Sequence, residues 1–198
     1  TILPLMEAFY TIQGEGFYTG SSAYFLRIGG CDVGCHWCDV KESWDEKLHP
    51  LTSVDDILSP LSDFPTKTVV VTGGEPLMWN MSFLTKMLKE KGLNRHLETP
   101  GSHQLSGEWD WICLSPKKFQ KPLETIKPLV NELKIIVKNK SDFKWAEEQR
   151  VEVSKNCKLY LQPEWSNKED MIPLIIDYVM ENPQWQISLQ THKYLQIP

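Results

Sequence analysis

The stretch Thr68-Val69-Val70-Val71-Thr72-Gly73-Gly74-Glu75-Pro76 decides how this chain is read. Its apolar, β-branched core has the character of a strand buried on both faces, the habit of parallel sheets. Two glycines follow at what would be the strand's carboxyl end. Bare backbone there lets a ligand or another backbone come close, because no Cβ stands in the way. Similar runs occur at 23–28, 96–98, 111–115, 132–137, 158–162 and 186–189. Helices are expected over 82–91, 141–150 and 168–180. In the last, Met171, Ile172, Ile175, Ile176 and Val179 form a stripe for packing on a sheet. Alternating strands and helices predict an α/β fold with a mostly parallel sheet and right-handed crossovers. The units are too few for a closed eight-fold barrel. A partial, incomplete TIM-like barrel is expected instead, with ligands at the carboxyl ends of its strands.

Polar residues punctuate those ends. They are Arg27-Ile28-Gly29-Gly30, Thr72-Gly73-Gly74-Glu75, Glu98-Thr99, Ser115-Pro116-Lys117, Gln162-Pro163 and Gln190-Thr191-His192, with Lys134 inside its strand. A polar cluster after each apolar run reads as one site assembled from many strands. The bland reading of Ser115 and Lys117 is a loop with a solvated lysine, and Glu98 read that way caps a strand.

With 198 residues the chain has room for one domain, 1–198, and a sizeable core. The hydrophobic fraction of 41%, the charged fraction of 24% and a mean hydropathy of −0.35 are those of a soluble globular protein. No apolar run reaches the roughly 18 residues of a membrane span. The net charge is −5 and the basic residues are spread out, which disfavours a nucleic-acid partner. Nothing before Phe9 reads as a targeting segment. Several of the eight tryptophans are expected in the core or a dimer interface.

Upstream of the opening stretch stands Gly29-Gly30-Cys31-Asp32-Val33-Gly34-Cys35-His36-Trp37-Cys38-Asp39, with the spacing C-x3-C-x2-C. Three thiolates on one short loop can hold three irons of a [4Fe–4S] cluster, leaving the fourth open to a small molecule. A structural zinc site wants four protein ligands and would have to recruit His36, Cys113 or Cys157; no second C-x2-C or H-x3-H completes it. Disulfides fit poorly with five cysteines, three of them clustered. Reduced thiols point to a cytoplasmic chain, in which Cys113 and Cys157 read as buried structural thiols.

The cysteine spacing and the Gly73-Gly74-Glu75-Pro76 turn resemble the radical S-adenosylmethionine (SAM) superfamily. The resemblance narrows with Phe9-Tyr10-Thr11-Ile12-Gln13-Gly14-Glu15-Gly16, which is similar to the opening of the 7-carboxy-7-deazaguanine synthase (QueE) family. Leu97-Glu98-Thr99-Pro100-Gly101, Ser115-Pro116-Lys117, Tyr160-Leu161-Gln162-Pro163 and Leu189-Gln190-Thr191-His192-Lys193 follow in that family's order, so the resemblance covers the whole chain. It implies a radical SAM lyase that contracts 6-carboxy-5,6,7,8-tetrahydropterin to 7-carboxy-7-deazaguanine, with loss of ammonia, on the route to queuosine and other 7-deazapurines. It also implies a homodimer, reduced by a flavodoxin or ferredoxin.

By the same resemblance, Cys31, Cys35 and Cys38 hold the cluster. Gly73, Gly74 and Glu75 grip the methionine end of SAM, and Thr99, Ser115, Lys117 and Gln162 line its pocket. Ile12, Gln13, Gly14, Glu15 and Gly16, with Gln190 and His192, meet the pterin, Glu15 accepting from its pyrimidine edge. Arg27 can pair with the substrate carboxylate; its bland reading is a surface ion pair. Residues 186–198 are expected to cap the substrate, with a carboxylate at Pro198 in reach of the pterin. The family commonly has Thr or Ser after Cys-Asp, and that hydroxyl helps bind Mg2+. Here the residue is Val40, which offers no oxygen to a hard cation. Asp39 could ligate or merely orient the loop, and weak Mg2+ dependence is expected. Two other readings stay open: a radical SAM activase acting on a protein partner, and a non-catalytic iron–sulfur or zinc module.

Overall fold

The computed structural model describes residues 1–198. Nine strands form one sheet in the order β3-β1-β2-β4-β5-β6-β7-β8-β9, open at both edges. β1 (Ile2–Ile12) runs antiparallel to β2 (Ser22–Ile28) and to β3 (Leu51–Ser53). Every other pairing is parallel: β4 (Thr68–Gly73), β5 (Asn94–Thr99), β6 (Trp111–Leu114), β7 (Glu132–Val137), β8 (Lys158–Pro163) and β9 (Trp185–Ile187) follow β2 across the sheet. The expected α/β architecture and the open barrel are therefore present.

Helices cover three of the crossovers. α2 (Ser82–Glu90) joins β4 to β5, α3 (Ser141–Arg150) joins β7 to β8, and α4 (Lys168–Glu181) joins β8 to β9. The β5–β6 connection has no helix and the β6–β7 connection only a 3-10 turn, so strict alternation fails there. α1 (Val54–Leu58) and α5 (Thr191–Leu195) are too short to carry a helical period and were not expected. Nor was β1: its run Glu7-Ala8-Phe9-Tyr10-Thr11 mixes polar and apolar residues because both faces are only half-buried.

The stripe on α4 needs correction. Ile175 is fully buried, with Met171, Tyr178 and Val179 packed against the core, whereas Ile176 is 44% exposed. One residue's step turns a helix by about 100°, so positions 171, 175, 178 and 179 share a face that 172 and 176 flank.

The main core joins Leu26 and Ile28 of β2, Val69 and Val71 of β4, Leu97 of β5, Leu114 of β6, Leu133 and Ile135 of β7, and Leu161 of β8. Trp185 completes it, its indole N–H donating to Glu147 at 2.7 Å. Cys113 and Cys157 are buried, as expected for structural thiols. Burial drives the Cys157 thiol up to about 12. Leu26, 0% exposed, sits where β2 packs between β1 and β4. Leu26→Ala is expected to cost about 2–5 kcal/mol, read as a lower midpoint in urea with unchanged slope.

Candidate active site

A cavity of about 450 Å³ opens at the carboxyl ends of the parallel strands. It is lined by Cys31, Cys35 and Cys38 from the loop after β2, by Gly73 and Gly74 after β4, by Thr99 at the end of β5, by Ser115 and Lys117 after β6, and by Gln162 on β8. Ile12, Gln13, Gly14, Glu15, Arg27, Val40, Gln190, His192 and Pro198 line the same cavity. Two expected residues do not. Glu75 is fully buried behind the wall, accepting from Thr99 Oγ1 at 2.8 Å and from the Leu77 amide at 3.0 Å. Its side chain holds Thr99 and caps the turn rather than facing the cavity. Gly16 lies behind Glu15, its amide donating to Ser188 Oγ at 2.9 Å.

The cysteine loop is clamped at its foot. Glu75 N–H donates to Gly30 O at 2.9 Å, and Cys31 N–H donates to Trp44 O at 3.1 Å. A Cβ on Gly74 would stand 2.0 Å from Gly30 O and 3.1 Å from Cys31 Cβ. The first demand on Gly74 is thus backbone packing against the cysteine loop, which leaves its other side open to the cavity.

The thiols face one space with donors around them. Val40 N–H reaches Cys38 Sγ at 3.4 Å. Burial raises the Cys31 thiol, against which the Val33 and Gly34 amides pull it down. Burial also raises Cys35, opposed by the Lys117 ammonium. Soft sulfur ligands surrounded by N–H groups and a positive charge are the donor set an iron–sulfur cluster takes.

The N-terminal motif arrives unexpectedly. β1 is antiparallel, so its end lies by the amino ends of the parallel strands, and the chain folds inward from there. Gln13 Nε2 donates to Glu98 Oε1 at 2.9 Å, and Gly14 O accepts from Thr191 N and Oγ1, both at 2.9 Å. A side chain on Gly14 would strike His192 Nδ1 at 2.2 Å. Glu15 reaches the middle of β7, pairing with the Lys134 ammonium, and accepts from Gln190 Nε2 at 3.0 Å. Burial alone would raise the Glu15 carboxyl; Lys134 and the Gln190 donor outweigh it and hold it near 2. Burial works against the charge on Lys134 too, yet Glu15 raises it well above the ordinary value. Burial also keeps His192 below its ordinary value, with Glu15 opposing.

Other residues at the rim refine the reading. Arg27 lines the cavity while its Nε donates to Glu7 Oε1 at 2.6 Å, so the surface ion pair and the cavity position are both real. Lys117 Nζ donates to Ser115 O at 2.7 Å and to Ser115 Oγ at 2.8 Å; it is no solvated lysine, and burial lowers its pKa. Asp39 Oδ2 accepts from Gln190 Nε2 at 3.0 Å and pairs with Lys193. Trp37 and Trp165 are cavity walls rather than core residues. Lys134 stood in the polar pattern without a role assigned to it, and Lys193 and the tryptophans were missed as site residues. The signal for Lys134 was a lone charge inside Leu133-Lys134-Ile135-Ile136-Val137. Lys193 and Trp165 carried no local signal beyond following Thr191-His192 and Gln162-Pro163.

Known proteins agree with this geometry. The model of the Radical SAM superfamily matches residues 26–113. The 7-carboxy-7-deazaguanine synthase of Flavobacterium psychrophilum is 59% identical over 197 residues, covering 100% of this chain and 93% of the relative. That of a Synechocystis strain is 47% identical, covering 97% and 92%. The crystal structure of QueE from Escherichia coli superposes with a TM-score of 0.84 at 29% identity, covering 95% of this chain and 93% of that one. On this evidence the chain belongs to the 7-carboxy-7-deazaguanine synthase family of radical SAM enzymes.

Proposed function

We propose that the chain converts 6-carboxy-5,6,7,8-tetrahydropterin to 7-carboxy-7-deazaguanine with release of ammonia, as a radical SAM carbon–nitrogen lyase on the route to queuosine or another 7-deazapurine. The observation that carries this is convergence: the three cysteines, the Gly73–Gly74 edge, Glu15 and the Gln190–His192 segment face one cavity. When bound, the cluster and SAM supply a carbon-centred radical that takes a hydrogen atom from the pterin. Cys31, Cys35 and Cys38 hold the cluster. Gly73 and Gly74 leave room for the amino group of SAM, while Thr99, Ser115, Lys117 and Gln162 line the rest of its pocket.

The substrate half follows from charge. Lys134 fixes Glu15 as a carboxylate, and the carboxylate oxygens have room to accept from the amino and ring N–H groups of the pyrimidine edge, beside Gln13, Gly14 and Ile12. Arg27 offers its free guanidinium N–H groups to the substrate carboxylate. His192, kept neutral by burial and lodged against Gly14, presents one donor and one acceptor. Pro198, whose carbonyl accepts from Thr11 Oγ1 at 3.4 Å, closes the cavity with the rest of 186–198. Phe9, Phe25, Trp37 and Trp165 provide apolar walls that exclude water from a reactive intermediate. A homodimer in the cytoplasm, with 1–198 as one radical SAM domain and a flavodoxin or ferredoxin as reductant, belongs to the same reading.

Mg2+ does not fit the residues present. Val40 has no side-chain oxygen, its carbonyl already accepts from Ser43, and the only carboxylate on that turn, Asp39, already receives Gln190 and Lys193 on one oxygen. The Lys193 ammonium is the cation at that wall.

Three outcomes are expected. Anaerobically reconstituted, reduced protein given SAM and the pterin should yield 7-carboxy-7-deazaguanine by mass spectrometry, and alanine at Cys31, Cys35 or Cys38 should abolish it; 5′-deoxyadenosine without deazaguanine would sink the substrate assignment. EDTA should leave turnover within about twofold, and a rate that collapses and returns only with Mg2+ would contradict the metal-free reading. Lys134→Met strands Glu15 without its cation, at a cost of about 3–5 kcal/mol near neutral pH. In the native chain the depressed Glu15 pKa adds stability above its unfolded value, 4.5, that is lost as pH falls through about 2. In Lys134→Met burial is opposed only by the Gln190 donor and the nearby His192, so Glu15 should take up a proton more readily and the deficit should shrink as pH falls from 7.5 to 5. Denaturant unfolding at both pH values, with Lys134→Met/Glu15→Gln as the recovering double variant, checks it.

A further inference from the structure

One buried hydroxyl joins the two halves of the cavity wall. Ser188 follows β9 and extends its ladder by one bond, Ser188 N–H to Leu161 O at 2.9 Å. The side chain is 3% exposed. Its Oγ accepts from the Gly16 amide at 2.9 Å and donates to Gln162 Oε1 at 2.7 Å. Gly16 follows Glu15 in the substrate loop, and Gln162 lines the cavity from β8. A hydroxyl carries one hydrogen. The Gly16 N–H already points at the oxygen, so that hydrogen is left for Gln162, and the end of the carboxamide facing Ser188 has to be its carbonyl. The amino end is thereby turned away. It finds no protein acceptor, yet it is not sealed in, and it opens on the cavity.

The link is stiff on the Gly16 side. Gly16 has a φ of +65°, and a Cβ there would stand 1.8 Å from Glu132 Oε1. The residue is therefore held between Ser188 and Glu132, which also receives the Phe17 amide at 3.4 Å. Thr191 ties the same loop through Gly14 O but does not line the cavity. Ser188 is the side chain that connects the loop to Gln162. Hydrogen bonds in a chain polarise one another, so the Gly16 contact bears on how firmly Gln162 is held.

We propose that Ser188 is a positioning residue that fixes Gln162 with its Nε2 donors toward SAM and couples the SAM pocket to the substrate loop. The proposal rests on the radical SAM and pterin reading of the cavity, which puts SAM against Gln162 and the pterin against Glu15. Ser188 itself does not line the cavity, so it acts through its two neighbours. Without the hydroxyl, the carboxamide is free to turn over and present a carbonyl where an acceptor of SAM needs a donor, and Gly16 loses its hold. Either ligand orders the same three residues, Gly16, Ser188 and Gln162, so the second ligand has less ordering left to do. Such coupling is reciprocal: the pterin tightens SAM by the factor by which SAM tightens the pterin.

The test titrates SAM into the anaerobic, reconstituted holoenzyme by calorimetry, with and without 6-carboxy-5,6,7,8-tetrahydropterin. The cluster is kept oxidised so that nothing turns over. Ser188→Ala should weaken SAM about tenfold, the worth of one well-placed hydrogen bond, and should cut the pterin-induced tightening about threefold or more. Gln162→Ala should do the same. Ser188→Ala/Gln162→Ala should be no worse than Gln162→Ala, because losses do not add for residues that act through one another. If Ser188→Ala does not fold, Gln162→Ala decides the coupling by itself. Losses that add in the double variant, as a merely structural serine would give, overturn the proposal. So does a SAM affinity untouched by Ser188→Ala, or full pterin tightening in either single variant. If SAM binds the native enzyme without any response to the pterin, the substrate reading fails, while overlapping losses of SAM affinity still uphold the positioning of Gln162. No SAM binding at all would sink the radical SAM reading and the proposal together.

Discussion

The buried pair of Glu15 and Lys134 is the contact on which the site depends. Lys134 is the third residue of β7, Glu15 lies in the loop after β1, and Gln190 completes the carboxylate from the segment after β9. Three distant parts of the chain are thereby fixed at one point. The loop needs such an anchor because it starts at the wrong end of the sheet: β1 runs against the parallel strands, and residues 13–16 climb inward to reach a cavity that the others meet directly. Gly14 O receiving Thr191, and Gly16 N–H on Ser188, then fasten this loop to the far edge of the open sheet. An incomplete barrel has no neighbouring strand there, and the polar loop takes its place. The charge is retained because its removal from one side leaves the other desolvated and unpaired.

How far such an arrangement was legible depends on where each signal sits. Buried parallel strands announce themselves by short, mostly apolar runs, so β4, β7 and β8 were readable almost to their ends. β1 was not, because a half-buried strand with residues such as Glu7 and Thr11 lacks both a continuous apolar run and a clean alternation. The cysteine loop and the Gly-Gly turn were legible because their chemistry is local. The direction of Glu75 was not legible for the opposite reason: a carboxylate next to a glycine turn looks the same in sequence whether it faces the cavity or turns inward to Thr99 and the Leu77 amide. Lys193, Trp37 and Trp165 become site residues only when the fold brings them to the rim.

The wall at Val40 carries a fixed ammonium where its own side chain offers no oxygen. Val40 lines the cavity beside Asp39, whose Oδ2 receives both Gln190 and Lys193. Lys193 also lies 4.5 Å above the Trp165 ring, with Lys168 at 4.4 Å from it. An ammonium between a carboxylate and an indole face is held in place by two attractions that need no metal geometry. It supplies one positive charge where a divalent ion would supply two, so an anionic oxygen brought to that wall would meet a weaker field but would incur no cost of dehydrating a hard cation.

Charge is thus distributed by task across one end of the molecule. Inside, Lys134 is neutralised by Glu15 and keeps an acceptor ionised; at the mouth, Lys193 is half-satisfied by Asp39; outside, Lys121 and Lys140 stand free. The gradient follows solvent access. A free ammonium is costly where water is excluded and cheap where it is not, so half-buried Lys117, held only by Ser115, has its pKa lowered, while the outermost lysines stay unpaired and project a field into solvent. A chain of net charge −5 thus keeps exposed ammoniums such as Lys121 and Lys140 free of acidic partners at the surface, where water solvates them.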